Sequence, residues 1–152
     1  MNKYMEEANQ LAKNNLITNY GGPFGACIVK NDEIISVAGN EVLKNNDPTA
    51  HAEINAIRLA CQKLKTYDLS DCVLYTTCYP CPMCLGAIIW ANIKEVYYGN
   101  TPEDADAIGF RDQDIYDFIN NKNSLLKMNN IDRDETIKVF LEYQSKNDKI
   151  IY

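Results

Sequence analysis

The sequence holds a single histidine, His51, so an imidazole ligand or base has only one place to be. Long apolar runs are missing too. None approaches the roughly 20 residues that cross a bilayer. The first residues, Met1-Asn2-Lys3-Tyr4-Met5-Glu6-Glu7, contain no apolar stretch of the kind a secretory signal needs. These absences predict a cytoplasmic protein that neither spans nor enters a membrane. Basic charge is also scarce. Fifteen Lys and Arg stand against 21 Asp and Glu, a net charge of −6, and the isoelectric point is near 4.7. Proteins that grip a polyanion need basic surface for phosphate contacts. Nucleic acid is therefore an unfavoured partner, and a small, weakly charged molecule a favoured one. Repeats, Pro- or Gly-rich linkers and low-complexity segments are absent. The 152 residues fit one domain, 1–152, with a core large enough to stand alone.

The hydrophobic pattern predicts an alternation of helices and strands. Tyr4, Ala8, Leu11, Ala12 and Leu16 recur at helical spacing, and Gly21-Gly22-Pro23 ends that first helix. Phe24 to Lys30 reads as a strand, Asn31-Asp32 as a tight turn, and Glu33 to Ala38 as the returning strand. Asn40 to Pro48 is polar loop. A helix from about Ala50 to Lys65 follows, with Ile54, Ile57, Ala60, Cys61 and Leu64 inward. Cys72 to Thr76 is a short strand, Pro82 to about Ala91 a helix opened by proline, and Glu95 to Gly99 another strand. Strand, helix, strand implies a parallel crossover. The class is α/β: a three-layer α/β/α sandwich with a mixed central sheet. Further on, Asp104 to Asn121 holds one or two short helices, and Ser124 to Met128 reads as an edge strand. Asp132 to Glu135 gives a D-x-x-E capping signal for a last helix through Gln144.

The chain has six cysteines. In a reducing compartment these are thiols or metal ligands rather than disulfides. Cys27, Cys61 and Cys72 fall on strand or helix faces and read as small buried hydrophobes. Cys81 and Cys84 do not. Cys81-Pro82-Met83-Cys84 lies downstream of His51-Ala52-Glu53. One imidazole and two thiolates can hold a zinc ion and leave a fourth position for water, the catalytic rather than structural pattern. Zinc lowers the pKa of such a water toward about 7. Glu53, two residues after the histidine, can carry protons beside it. Both ligand groups sit near helix starts, whose dipoles disfavour a cation but stabilise thiolates. A bland reading competes: a structural site with Cys78 as fourth ligand, since Cys78-Tyr79-Pro80-Cys81 is itself C-x-x-C. Pro80 before Cys81 and Pro82 after it favour Cys81 with Cys84. The ordered pair H-x-E and P-C-x-x-C is the signature of the zinc nucleobase deaminases.

Asn46-Asp47-Pro48-Thr49-Ala50-His51-Ala52-Glu53 and Pro80-Cys81-Pro82-Met83-Cys84-Leu85-Gly86-Ala87-Ile88 resemble the cytidine/deoxycytidylate deaminase superfamily. Both blocks are shared by tRNA adenosine deaminases and by small bacterial guanine deaminases. Three other segments resemble the guanine deaminase branch: Gly21-Gly22-Pro23-Phe24-Gly25-Ala26, then Ala107-Ile108-Gly109-Phe110-Arg111-Asp112 with Ile115-Tyr116, and the terminal Lys149-Ile150-Ile151-Tyr152. The resemblance implies zinc on His51, Cys81 and Cys84, with Glu53 as proton shuttle. It implies that Asn40 and Asp112 hydrogen-bond a purine, and that Phe24, Trp90 and Tyr152 line or close the pocket. Arg111 puts a positive charge beside Asp112. In that branch the C-terminal segment, here 146–152, is exchanged between two subunits of a homodimer. The implied reaction is hydrolytic deamination of guanine to xanthine and ammonia. The rivals are a tRNA adenosine deaminase, a deaminase of guanosine, cytosine or another small amine, and a zinc protein without catalysis. Each pocket residue also has a plainer use: Asn40 as a turn former, Asp112 as a helix cap, Phe24 and Trp90 as core, and Tyr152 as a loose end.

Overall fold

The computed structural model describes residues 1–152. Its centre is a four-stranded mixed sheet in the order β2-β1-β3-β4. Strand β1 (Gly25–Lys30) pairs antiparallel with β2 (Glu33–Gly39) and with β3 (Val73–Cys78). Strand β4 (Glu95–Asn100) runs parallel to β3, as the intervening helix requires. The β1–β2 turn is tight because Asn31 and Asp32 both adopt positive φ, 49° and 64°. Asn and Asp tolerate that conformation, which suits the right-handed twist of a hairpin.

Successive side chains of a strand point to opposite faces, and β1 is buried on both. Ala26 and Ile28 join one cluster with Ala52, Ala56 and Ala60 of helix α3 (Ala52–Leu64) and Ile88 of helix α4 (Pro82–Trp90). Cys27 and Val29 join the other, with Tyr4 and Ala8 of helix α1 (Lys3–Thr18). Helices thus cover both faces, and the α/β/α sandwich expected from the sequence is present. Cys27 and Cys72 are buried among apolar groups as expected, and Cys61 is half-buried at the cluster's margin.

Some details differ from the pattern-based reading. Helix α1 ends at Thr18, where Asn19 turns left-handed with φ 54°, before the glycines are reached. Leu16 faces solvent, and Asn15 occupies the inward position instead. Its amide donates to the carbonyls of Gly22 and Asn40, both at 2.8 Å, so a polar residue ties the end of α1 to two loops. The loop after β2 contains one helical turn, α2 (Val42–Asn45). Helices α5 (Pro102–Ala107) and α6 (Asp112–Ile119) fill the span where short helices were expected. The stretch 124–128 forms no strand. Leu125, Leu126 and Met128 are exposed and have no neighbouring strand to pair with, which leaves β4 as the sheet edge. Helix α7 (Arg133–Ser145) is present, but Asp132 is left-handed and makes no side-chain cap. No helix is long and apolar enough to cross a membrane.

Replacing Asn15 by Ala leaves the Asn40 carbonyl without a donor, while the Gly22 carbonyl keeps the Phe24 N–H. An unsatisfied buried group costs about 1–3 kcal/mol. We expect a loss of about 1–3 kcal/mol, a fall of roughly 3–10 °C in Tm for a chain of this size. Calorimetry that finds an unchanged Tm contradicts this account.

Candidate metal centre and pocket

Two helices begin at the same point in space. His51 is the residue that starts α3, and Cys81 the one that starts α4. Each has extended backbone angles and gives no side-chain bond to its own helix. Their side chains are free to point outward at a common target. Proline follows Cys81 at the first helical position, where its missing N–H is no loss. One turn into α4, Cys84 returns to the same side. The Nδ1 atom of His51 lies 3.6 Å from Cys81 Sγ and 3.6 Å from Cys84 Sγ.

Those distances test the fit to a metal. Zinc bonds nitrogen at about 2.0–2.1 Å and thiolate at about 2.3 Å with tetrahedral angles, which places nitrogen and sulfur about 3.6 Å apart. The observed spacing matches. Each donor atom of the three lies within 4.8 Å of the others. Cys78 is not part of the set. It is buried, its thiol points to the Thr101 carbonyl at 3.6 Å, and burial pushes its pKa up to about 12. The structural four-ligand arrangement is therefore not formed, and three protein donors leave a position open.

The charges agree with that role. The Cys81 thiol is pulled well below the usual thiol range, first by Cys84 beside it and then by His51. The Cys84 thiol is held up, first by Cys81 and then by burial. The His51 pKa is raised, mainly by its bond with Cys81. A cation among these groups takes the place of the protons they share.

Glu53, in the first turn of α3, is almost fully buried beside the donors. Its Oε1 accepts a hydrogen bond from Thr76 Oγ1 at 2.9 Å, and its Oε2 one from Cys84 Sγ at 3.4 Å. Burial pushes its pKa up, because a carboxylate is less stable away from water. Thr76, on β3, is the group that sets the orientation of Glu53. Nothing in sequence spacing pointed to it, because the contact joins two elements 23 residues apart.

A cavity of about 30 Å³ opens onto this centre, lined by Phe24, Asn40, Cys78, Tyr79, Phe110 and Asp112 along with His51, Glu53 and Cys81. Asn40 is buried and held at three points. Its N–H donates to the Phe24 carbonyl, its own carbonyl accepts from Asn15, and its Oδ1 accepts from the Val42 N–H. The turn-forming use of Asn40 is thus real, and it leaves the amide nitrogen without a protein partner. Gly21 makes room for this side chain, since a Cβ there would fall 2.0 Å from Asn40 Oδ1. Asp112 begins α6 but does not cap it. It is half-buried, and its pKa is raised by burial first and by the nearby Cys81. Arg111 is exposed and forms no ion pair with it.

Trp90 and Tyr152 are not at this cavity. Trp90 ends α4, about 13 Å along the axis from the end that carries Cys81, at 1.5 Å per residue. It is 66% exposed and packs on Tyr152 with ring centroids 5.8 Å apart. Within one chain, neither residue can reach the base pocket. Sequence reading also missed Tyr79 and Phe110 as lining residues. Phe110 lay inside a segment already singled out, two positions before Asp112. Tyr79 is held edge-on by Tyr98 at 5.0 Å and next to Tyr116, whose hydroxyl donates to the Pro80 carbonyl at 2.7 Å.

The family model of the cytidine and deoxycytidylate deaminase zinc-binding region matches residues 1–100, which contain every donor described above. The chain belongs to this deaminase family. A curated guanine deaminase from Bacillus subtilis is 52% identical over 113 residues, covering 74% of this chain and 72% of that one. A tRNA-specific adenosine deaminase from Buchnera aphidicola is 39% identical over 122 residues, covering 80% and 79%. The crystal structure of guanine deaminase from Bacillus subtilis superposes with a TM-score of 0.93 at 42% identity, covering 100% of this chain and 99% of that chain. As a deaminase of this family the protein is a zinc hydrolase, and its three donors fit that ion.

Replacing Cys84 by Ser should abolish stoichiometric zinc, whereas Cys78→Ser should keep about one zinc per chain. Metal analysis of the purified variants checks this. Full zinc in Cys84→Ser, or zinc lost in Cys78→Ser, contradicts the three-donor centre.

Proposed function

We propose that the protein deaminates guanine, with water, to xanthine and ammonia. The observation that carries this reading is the match to guanine deaminase along the whole chain. The family model covers residues 1–100, and the structural fit extends through α5, α6 and α7 to the end. Asp112 lies in that added span. A tRNA adenosine deaminase reading draws support from the shared core. It gains nothing from the net charge of −6, which opposes phosphate contacts.

In this reading His51, Cys81 and Cys84 hold the zinc. When bound, zinc supplies a Lewis acid and acidifies a water. Cys84 would hold the metal as a thiolate, and Glu53 Oε2 would then be free of the bond it accepts from that thiol. That oxygen accepts a proton from the attacking water while Thr76 keeps the other oxygen fixed. As the water oxygen bonds to C2, Glu53 passes the proton to the ring nitrogen. Glu53 then moves the C2 hydroxyl proton to the amine, the C2–N bond breaks to release ammonia, and the C2 carbonyl of xanthine forms. Asn40, through its free amide nitrogen, donates to a purine acceptor, and Asp112 accepts from purine N–H groups. Phe24 packs against the ring.

The reading extends to a homodimer with exchanged tails, in which Tyr152 of one subunit closes the pocket of the other. Helix α7 buries no side chain in its own chain. Phe140, Leu141, Ile150 and Ile151 are exposed together, and a lone chain gains nothing from such a surface. A cytoplasmic setting fits six free thiols.

Glu53→Gln keeps the shape and removes the proton carrier. We expect full zinc and a loss of at least about 10³-fold in xanthine formation from guanine. Substantial remaining turnover removes Glu53 from the proton path. Deleting residues 146–152 should leave zinc in place and reduce guanine turnover at least about tenfold. Light scattering should find the intact chain dimeric. A monomeric and fully active intact chain would discard the exchanged tail.

A further inference from the structure

The cavity at the metal centre is too small for its proposed guest. Its volume of about 30 Å³ is far below the roughly 300–1,000 Å³ of pockets that hold small-molecule ligands. Some wall must move to admit a fused two-ring base. Most walls are fixed. His51, Glu53 and Cys81 sit at helix starts packed on the sheet, Asn40 has three hydrogen bonds, and Tyr79 is flanked by two tyrosines. Phe110 differs. It is carried on the short connection between α5 and α6, where Ile108, Gly109 and Arg111 are exposed.

Phe110 also has somewhere to go. Beyond it lies a second cavity of about 400 Å³, walled by Gly22, Val42 and Leu43. The two cavities share Asn40, His51 and Phe110, so this ring is part of the partition between them. Its seat depends on a missing side chain. A Cβ on Gly22 would fall 2.6 Å from Phe110 Cζ and 2.7 Å from Phe24 Cε2. In that seat Phe110 meets Phe24 edge to face, with ring centroids 4.8 Å apart. Such a contact is worth little enough to be broken and remade.

We propose that Phe110 is the gating and positioning residue of the base pocket. Its ring turns into the outer cavity to admit the planar base and then returns to pack on it opposite Phe24. This inference rests on the reading of the site as a purine deaminase pocket. Leu43 is 65% exposed and lines the outer cavity, so a larger side chain there fills the space without touching the core.

The test is a double-mutant comparison of Leu43→Trp, Phe110→Ala and the pair, measured by kcat and KM for guanine, with zinc content as the folding control. Filling the outer cavity should lower kcat/KM about tenfold, mainly through KM, because entry is hindered. In the Phe110→Ala background the same replacement should change kcat/KM by less than about twofold, since no ring needs the space. Equal losses in both backgrounds, or no loss from Leu43→Trp alone, overturn the gate. A wild-type protein that deaminates another base and not guanine overturns the substrate reading alone, and the comparison is then made with that base. A wild type inert toward guanine, cytosine and guanosine overturns both.

Discussion

The fold is organised around the meeting of two helix N-termini at one point. Their unpaired N–H groups and dipoles favour negative charge, which Cys81 and Cys84 at the start of α4 can supply as thiolates. His51 and Cys81 occupy the positions where Ser, Thr or Asp would otherwise cap the helix. The chain thus gives up two ordinary caps to place metal donors. In return the donors are fixed by the packing of α3 and α4 on the sheet rather than by loops. Their spacing of 3.6 Å, matched to tetrahedral zinc, follows from that packing. Glu53 belongs to the same unit, and Thr76 locks it from the neighbouring strand.

Around this unit, small residues govern how closely layers approach. Ala52, Ala56 and Ala60 let α3 lie flat on β1 and β2, and Ala8 and Ala12 do the same for α1 on the other face. Gly21 and Gly22 do it for the pocket wall, leaving room for Asn40 and the Phe24–Phe110 pair. Apolar volume sits instead in Ile28, Leu69 and Leu74. Large exposed side chains collect on α7 and the tail, which contribute no buried residue to this chain. The proposed exchange of tails would give that surface an occupant.

Much of this was legible in the sequence because the signals are local. The hairpin needs Asn31 and Asp32, α4 begins at Pro82, and H-x-E with P-C-x-x-C fixes the donors and the proton carrier within two short segments. What could not be read depends on contacts across the fold. Thr76 acts on a residue in another element, and Asn15 looked like surface next to Leu16. Tyr79 and Phe110 become pocket walls only when α5 and α6 dock over the end of the sheet. The strand expected at 124–128 had the right residues but no neighbour to pair with. Trp90 and Tyr152, expected at the pocket from the resemblance, pack on each other away from it in the single chain, because α4 separates its two ends.

The central claim is that this zinc centre serves a pocket for a free purine base. The most direct test is ammonia release by the zinc-loaded protein from guanine, measured in parallel with guanosine, cytosine and adenosine-containing tRNA. Turnover of guanine far above the other three is the expected result. Turnover of the tRNA, weakened by added salt as phosphate contacts require, would keep the zinc chemistry and contradict the pocket.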